Sequence, residues 1–259
     1  MRREHQFDLS CIGNMDETPL TFDMLCNKTV DTKGVKSVVV RSTGHEKTRF
    51  TVVLSCLADG TKLKPMVIFK RKRKPKNTFP PGVFVQYHEN GWMDENGVKL
   101  WIDKIWKKRP GGANRPSLLV WDAFGSHITE ATTSHLNRCD TKAAVIPGGL
   151  TSIFQPLDVS LHKPLKDHVR QEWNKWMLNG QKSYTVGGFM RAPSLELLCQ
   201  FVVNAWDKDD ILWANNEQEE DNQASSETDE CEEGIDCEHD SIPGEHVSDV
   251  DESCQVTAT

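Results

Sequence analysis

Asp122 closes an apolar run, Leu118-Leu119-Val120-Trp121, and Ala123-Phe124-Gly125-Ser126-His127 follows at once. Such a run reads as a buried strand, and packing gives a buried strand no reason to finish in a carboxylate. A buried carboxylate without a partner is costly, so it finds a cation or takes up a proton. A metal ion is the cation that suits, and one carboxylate does not hold a catalytic metal alone. Two further aspartates stand in comparable places. Asp16 follows the moderately apolar stretch 7–15, and Asp158 ends a loop bracketed by prolines and glycines, 147–158. Taken singly, each also reads as a turn or helix cap, roles in which Asp is common. Taken together, they offer three hard oxygen donors, a set that suits Mg²⁺ or Mn²⁺. Two such ions about 3.5–4 Å apart activate the attacking oxygen and stabilise the leaving one in an in-line displacement at phosphorus. That chemistry requires the first strand to lie beside strand 118–122, so that Asp16 and Asp122 stand side by side. It also requires a helix running back over the sheet to bring Asp158 to them.

The pattern of the chain supplies such elements. Val38-Val39-Val40, 50–57 and 65–69 are β in composition, and Ala58-Asp59-Gly60-Thr61 between the last two is a hairpin signal. These runs are nearly continuous rather than alternating, so both faces of their sheet are covered. Val98, Trp101, Ile102, Ile105 and Trp106 recur at helical spacing within 91–108, and their tryptophans read as core. A helix over 130–138 and a strand over 142–147 follow. Leu161, Leu165, Val169, Trp173 and Trp176 mark a long amphipathic helix, with Pro164 confined to its first turn. A last helix spans 195–206. Strands first, then strands alternating with helices, predict an α/β fold: a mixed sheet with helices on both faces.

Charge divides the chain. Residues 217–259 hold sixteen acids and no Lys or Arg, while the other 22 acids share the first 216 residues with all 31 basic ones, an excess of nine positive charges. A basic folded part suits a polyanionic partner. Residues 1–206 are therefore expected to form one domain, and 207–259 an acidic tail too poor in apolar residues to fold. Lys70-Arg71-Lys72-Arg73-Lys74-Pro75-Lys76 puts six positive charges in seven residues. This stretch cannot pack and reads as a nuclear-import signal, a phosphate-backbone contact, or a solvated basic loop. The eight cysteines form no CxxC pair, and a disulfide framework is not expected in a chain of this length without a secretory signal. Cys231, Cys237 and His239 are too loosely spaced, in too acidic a setting, to read as a zinc site. No apolar run has the length of a membrane span.

The three aspartate-bearing blocks, Asn14-Met15-Asp16-Glu17-Thr18, Val120-Trp121-Asp122 through His127, and Thr151-Ser152-Ile153-Phe154-Gln155-Pro156-Leu157-Asp158, resemble those of the pogo/Tigger branch of DDE transposases. The same branch includes centromere protein B. The resemblance covers roughly residues 8–206, in the family's order, and the Gln-Pro-Leu-Asp block is its most specific part. It implies an RNase H-like fold, a five-stranded mixed sheet with helices on both sides. It also implies that Asp16, Asp122 and Asp158 are the catalytic, metal-binding carboxylates for hydrolysis and strand transfer of DNA. His127 resembles a histidine of the family's second block and would position a phosphate or the attacking water, or be structural. Glu17 would reach the metal through water, although neighbouring strand residues point to opposite faces. Lys163 and Lys166 join Lys70, Arg71, Lys72, Arg73 and Lys74 as DNA contacts, or form a solvated helix face.

Two departures from the family stand out. Its members usually begin with helix-turn-helix modules, whereas fifteen residues precede Asp16 here, and a helical segment usual after Ala205-Trp206-Asp207 is missing. The chain is thus expected to be a fragment, a shortened isoform or a remnant gene. Two functions follow. One is a nuclear, Mg²⁺- or Mn²⁺-dependent DNA endonuclease or transposase. The other is a domesticated, inactive DNA- or chromatin-binding protein whose acidic tail engages basic partners or shields the basic face.

Overall fold

The computed structural model describes residues 7–25, 33, 41–73, 75–112 and 115–208. Residues 38–40, Lys74, the Cys231–Cys237–His239 group and the expected acidic tail from 209 onward lie outside the described residues. Among the described residues six strands form one sheet: β1 (Ile12–Thr21), β2 (Arg49–Leu57), β3 (Met66–Lys70), β4 (Phe84–His88), β5 (Ser117–Asp122) and β6 (Thr141–Ile146). Their order is β4-β3-β2-β1-β5-β6. β2 runs antiparallel to both of its neighbours, β1 and β3, while β1–β5, β5–β6 and β3–β4 are parallel. The five strands β3-β2-β1-β5-β6 make the RNase H-like sheet that the sequence implied, and β4 adds a sixth at the edge. That strand escapes a sequence reading because all five of its residues are half-buried and none marks a core face.

The α-helices among the described residues are α1 (Glu95–Lys104), α2 (Glu130–Asn137), α3 (Thr151–Phe154), α4 (His162–Asn179) and α5 (Leu195–Lys208). The helix expected over 91–108 is shorter than its apolar spacing suggested. It starts at the Asp94 cap, whose carboxylate accepts from the Gly97 N–H, and breaks at Ile105 before a single 3₁₀ turn, Trp106–Lys108. The turn keeps Trp106 buried, which is why the periodicity runs on past the helix end.

Alternation along the central strands fills two cores. On one face Met15, Val53, Met66, Leu119 and Trp121 pack with Trp101, Ile102 and Trp106 of the α1 region and Leu136 of α2. On the other, Phe50, Val52, Leu54, Val67 and Phe69 pack with Leu165, Val169 and Trp173 of α4 and Leu198, Val202 and Trp206 of α5. Val52, Val53 and Leu54 are all fully buried, the signature of a strand covered on both sides. Gly13 is needed in β1 because a Cβ there would collide with the Trp106 ring. α4 and α5 are joined by Glu172, which accepts from Lys175 Nζ (2.8 Å), Lys208 Nζ (2.5 Å) and Asn204 Nδ2 (2.9 Å). Burial alone would raise that carboxyl, but the three hydrogen bonds outweigh it and hold the pKa down at about 2. Among the described residues no helix is long and apolar enough to cross a membrane.

Candidate metal centre

Register decides where the aspartates stand. The parallel β1–β5 ladder pairs Ile12 with Leu118, Gly13 with Leu119 and Asn14 with Val120, and then stops. Asp16 and Asp122 each lie two residues past the last pair, at the same level of adjacent strands. Met15 belongs to the α1/α2 core, so alternation directs Asp16 to the opposite face, toward α4, whereas Asp122, the last residue of β5, engages His127 instead. The expectation that Asp16 ends its strand needs correction. β1 runs on to Thr21 because its antiparallel pairing with β2 continues there, so Asp16 sits mid-strand and is 5% exposed.

Asp158 arrives by a different route. Gln155 ends α3 in an extended conformation, and Leu157–Leu161 then form a π turn that feeds α4. π turns place side chains off the regular helical repeat and are frequent at functional sites. Here the turn carries Asp158 and, four residues on, His162. The His162 Nδ1 lies 2.8 Å from Asp158 Oδ1 and 3.7 Å from Asp16 Oδ2. Donor atoms of Asp16, Asp158 and His162 all lie within 4.8 Å of one another, a separation that one cation can span. The other ring nitrogen of His162 is buried and has no hydrogen-bond partner. Burial, then the charges of Asp158, Glu17 and Asp122, push the Asp16 carboxyl up to about 8. Burial also lowers the His162 imidazole, against its bond to Asp158. Two hard carboxylates, Asp16 buried and Asp158 open to solvent, and one buried imidazole fit a divalent ion.

Asp122 stands to the side of that group. Its Oδ1 is 2.8 Å from His127 Nδ1 and accepts from the Phe124 N–H at 3.1 Å, and the His127 bond is the main reason its carboxyl lies below the ordinary range. The far nitrogen of His127 meets Glu17 Oε1 at 3.1 Å. Glu17 thus projects to the face opposite Asp16, as alternation requires, and contacts His127. The imidazole lies flat on Trp121, centroids 4.6 Å apart and planes 7° off parallel, with no exposed side-chain surface. Burial opposes a charge on His127, yet its hydrogen bonds to Asp122 and Glu17 prevail and raise its pKa to about 9.

Of the basic residues, Lys70, Arg71, Lys72 and Arg73 are exposed where β3 ends. That end points the same way as the ends of β1 and β5, and the pairings put it within roughly 20 Å of Asp16 by strand spacing and rise. Lys163 is exposed and Lys166 half-buried on the first turns of α4, and the charge of Lys166 is felt at His162. His162, Asn14 and Gln155 were given no role by sequence reasoning. For His162 a signal existed, the four-residue step from Asp158 that puts both on one side of a helical turn.

The sequence matches the family described as "DDE superfamily endonuclease" over residues 47–212, a span that holds Asp122 and Asp158. The chain is similar to "Pogo transposable element with KRAB domain" of Mus musculus, with 36% identity over 207 residues covering 80% of this chain and 34% of that protein. It is also similar to "CENP-B homolog protein 2" of Schizosaccharomyces pombe, at 25% identity over 185 residues covering 66% of this chain and 34% of that one. Among solved structures, the Mos1 strand transfer complex aligns with a TM-score of 0.43 at 12% identity, covering 80% of this chain and 55% of that one. The chain belongs to the DDE superfamily endonuclease family. It spans about a third of the length of these curated relatives.

Proposed function

We propose that this chain carries the metal-dependent phosphoryl-transfer site of a DNA endonuclease or transposase, with Asp16, Asp122 and Asp158 as metal ligands. The observation that carries the reading is the register. It sets Asp16 and Asp122 at one level of neighbouring strands, and the π turn lays Asp158 and His162 against Asp16. Asp16 and Asp158 would hold Mg²⁺ or Mn²⁺ with His162 beside them, and Asp122 would complete the set. When bound, the ion supplies Lewis-acid activation of the attacking and leaving oxygens. His127 orients Asp122, and Glu17 fixes the ring of His127 from behind. Lys163, Lys166 and the Lys70–Lys76 stretch offset phosphate charge on DNA, and the same stretch would direct the protein to the nucleus.

A second reading has its own support. The Asp122 carboxylate is already engaged by His127 and the Phe124 N–H, which suits a domesticated protein that binds DNA or chromatin partners without cutting. One experiment separates the two. The full chain is incubated with supercoiled DNA in Mg²⁺ or Mn²⁺, and its melting temperature is followed in each metal. Endonuclease function gives nicked circles with the wild type, none with Asp122→Asn, and a metal-dependent rise in melting temperature. A chain that retards DNA in a salt-dependent way but cuts nothing, and melts at the same temperature in either metal, supports the second reading and overturns the first.

A further inference from the structure

Three segments carry the candidate ligands, and two buried amide side chains tie all three together. Asn14, two residues before Asp16, donates from Nδ2 to the carbonyl of Val120 (2.9 Å), two residues before Asp122, and to Gln155 Oε1 (2.8 Å). Gln155 Nε2 donates to the Met15 carbonyl (3.2 Å). The N–H of Leu157, next to Asp158, donates to Asn14 Oδ1 (3.2 Å). Gln155 has no exposed surface and Asn14 is 5% exposed. Each amide uses both its donor and its acceptor end, a degree of satisfaction that buried amides need. Shape alone does not call for them, because an apolar pair of similar volume would fill the space without the desolvation cost.

Their position gives them a task. The β1–β5 ladder ends at the Asn14–Val120 pair, so the backbone ladder does not set the separation of Asp16 and Asp122 beyond it. Asn14 bridges the strands at that fork, and Gln155 and Leu157 fasten the Asp158 turn to the same point. We propose that Asn14 and Gln155 are positioning residues that gauge the spacing of Asp16, Asp122 and Asp158 and so set the affinity of the site for its divalent metal. This inference rests on the metal-site reading given above.

The test uses the full chain with Gln155→Met, which keeps length and loses every hydrogen bond, with Asn14→Ala, and with both. Val202→Ala in α5 serves as a control that loosens a remote part of the core. Mn²⁺ binding is measured by calorimetry, and amide hydrogen exchange is measured without metal. Each single variant is expected to weaken Mn²⁺ binding about 10–100-fold, and the double variant to add little, because both remove one network. Exchange should accelerate over 155–161 while α5 stays protected. Val202→Ala should lower the melting temperature and leave Mn²⁺ affinity alone. If Gln155→Met fails to fold, Gln155→Asn, the same amide one methylene shorter, gives the smaller loss of the same kind. Unchanged Mn²⁺ affinity in variants that merely melt earlier overturns the proposal, as do fully additive losses. If the wild type binds no Mn²⁺, the metal reading fails and the exchange measurement decides the positioning role. Loss of protection confined to 155–161 upholds the lock, and uniform or absent change overturns it.

Discussion

Asp16 and Glu17 are consecutive in β1, project to opposite faces of the sheet, and each comes near a histidine. On the α4 side, Asp16 meets His162 at 3.7 Å while Asp158 takes the closer contact. Burial and surrounding carboxylates drive the Asp16 pKa up to about 8. On the other side, Glu17 and Asp122 share His127 between them at 3.1 and 2.8 Å, and that ring is raised to about 9. One cluster holds an imidazolium between its two carboxylates. The other has no cation among its own residues, and its buried carboxyl keeps a proton instead. A deficit of positive charge, rather than a mere gathering of acids, distinguishes a place for a cation from a structural network.

The largest expected effect comes from breaking the balanced side. His127→Ala removes a fully buried ring from Trp121 and leaves Glu17 and Asp122 without their bridge, at a cost of about 2–4 kcal/mol, read as a lower denaturant midpoint. The unbalanced side should respond in the opposite direction. Asp16→Asn relieves a buried, crowded carboxyl and should raise metal-free stability by about 1–3 kcal/mol at pH 7, while abolishing any rise in melting temperature with Mn²⁺. A fall in metal-free stability with Asp16→Asn would mean that Asp16 is a satisfied structural acid, and the contrast between the two sides would disappear.

Glu172 sharpens the comparison as an acid balanced by lysines and an asparagine. Its folded pKa of about 2 lies below the ordinary glutamate value near 4.3. Its contribution is therefore full above the ordinary value and is lost as pH falls from about 5 toward 2. That contribution amounts to about 1–2 kcal/mol. Glu172→Gln should melt earlier than the wild type at pH 6, and the difference should shrink to about half by pH 3. A difference that stays constant over that range would remove the charge from the explanation.

Much of this was legible in the sequence, for reasons that differ by residue. Asp122 and Asp158 were conspicuous because each follows a strand or loop with no packing use for a charge. The neighbouring of β1 and β5 followed from the need to bring acids together, and the pairing places the strands side by side. Asp16 was placed at a strand end because the apolar run fades there. The strand persists because β2 supplies a hydrogen-bonding partner whatever the side chains. β4 had no pattern to read, since a half-buried edge strand imposes no alternation. Asn14 and Gln155 were in plain view within the motifs, but a polar residue in a loop-like block announces nothing about burial. Their role appears only once three distant segments meet.

The ending of the β1–β5 ladder at Asn14 has a consequence for the history of such a chain. β1 remains fastened to β2, and β5 to β6, on either side of the fork. The architecture therefore does not depend on the alignment that chemistry would need. On the metal-site reading proposed above, one amide replaced at the fork would weaken the site and leave the sheet whole. A fold wired in this way can outlive its reaction and pass to other uses.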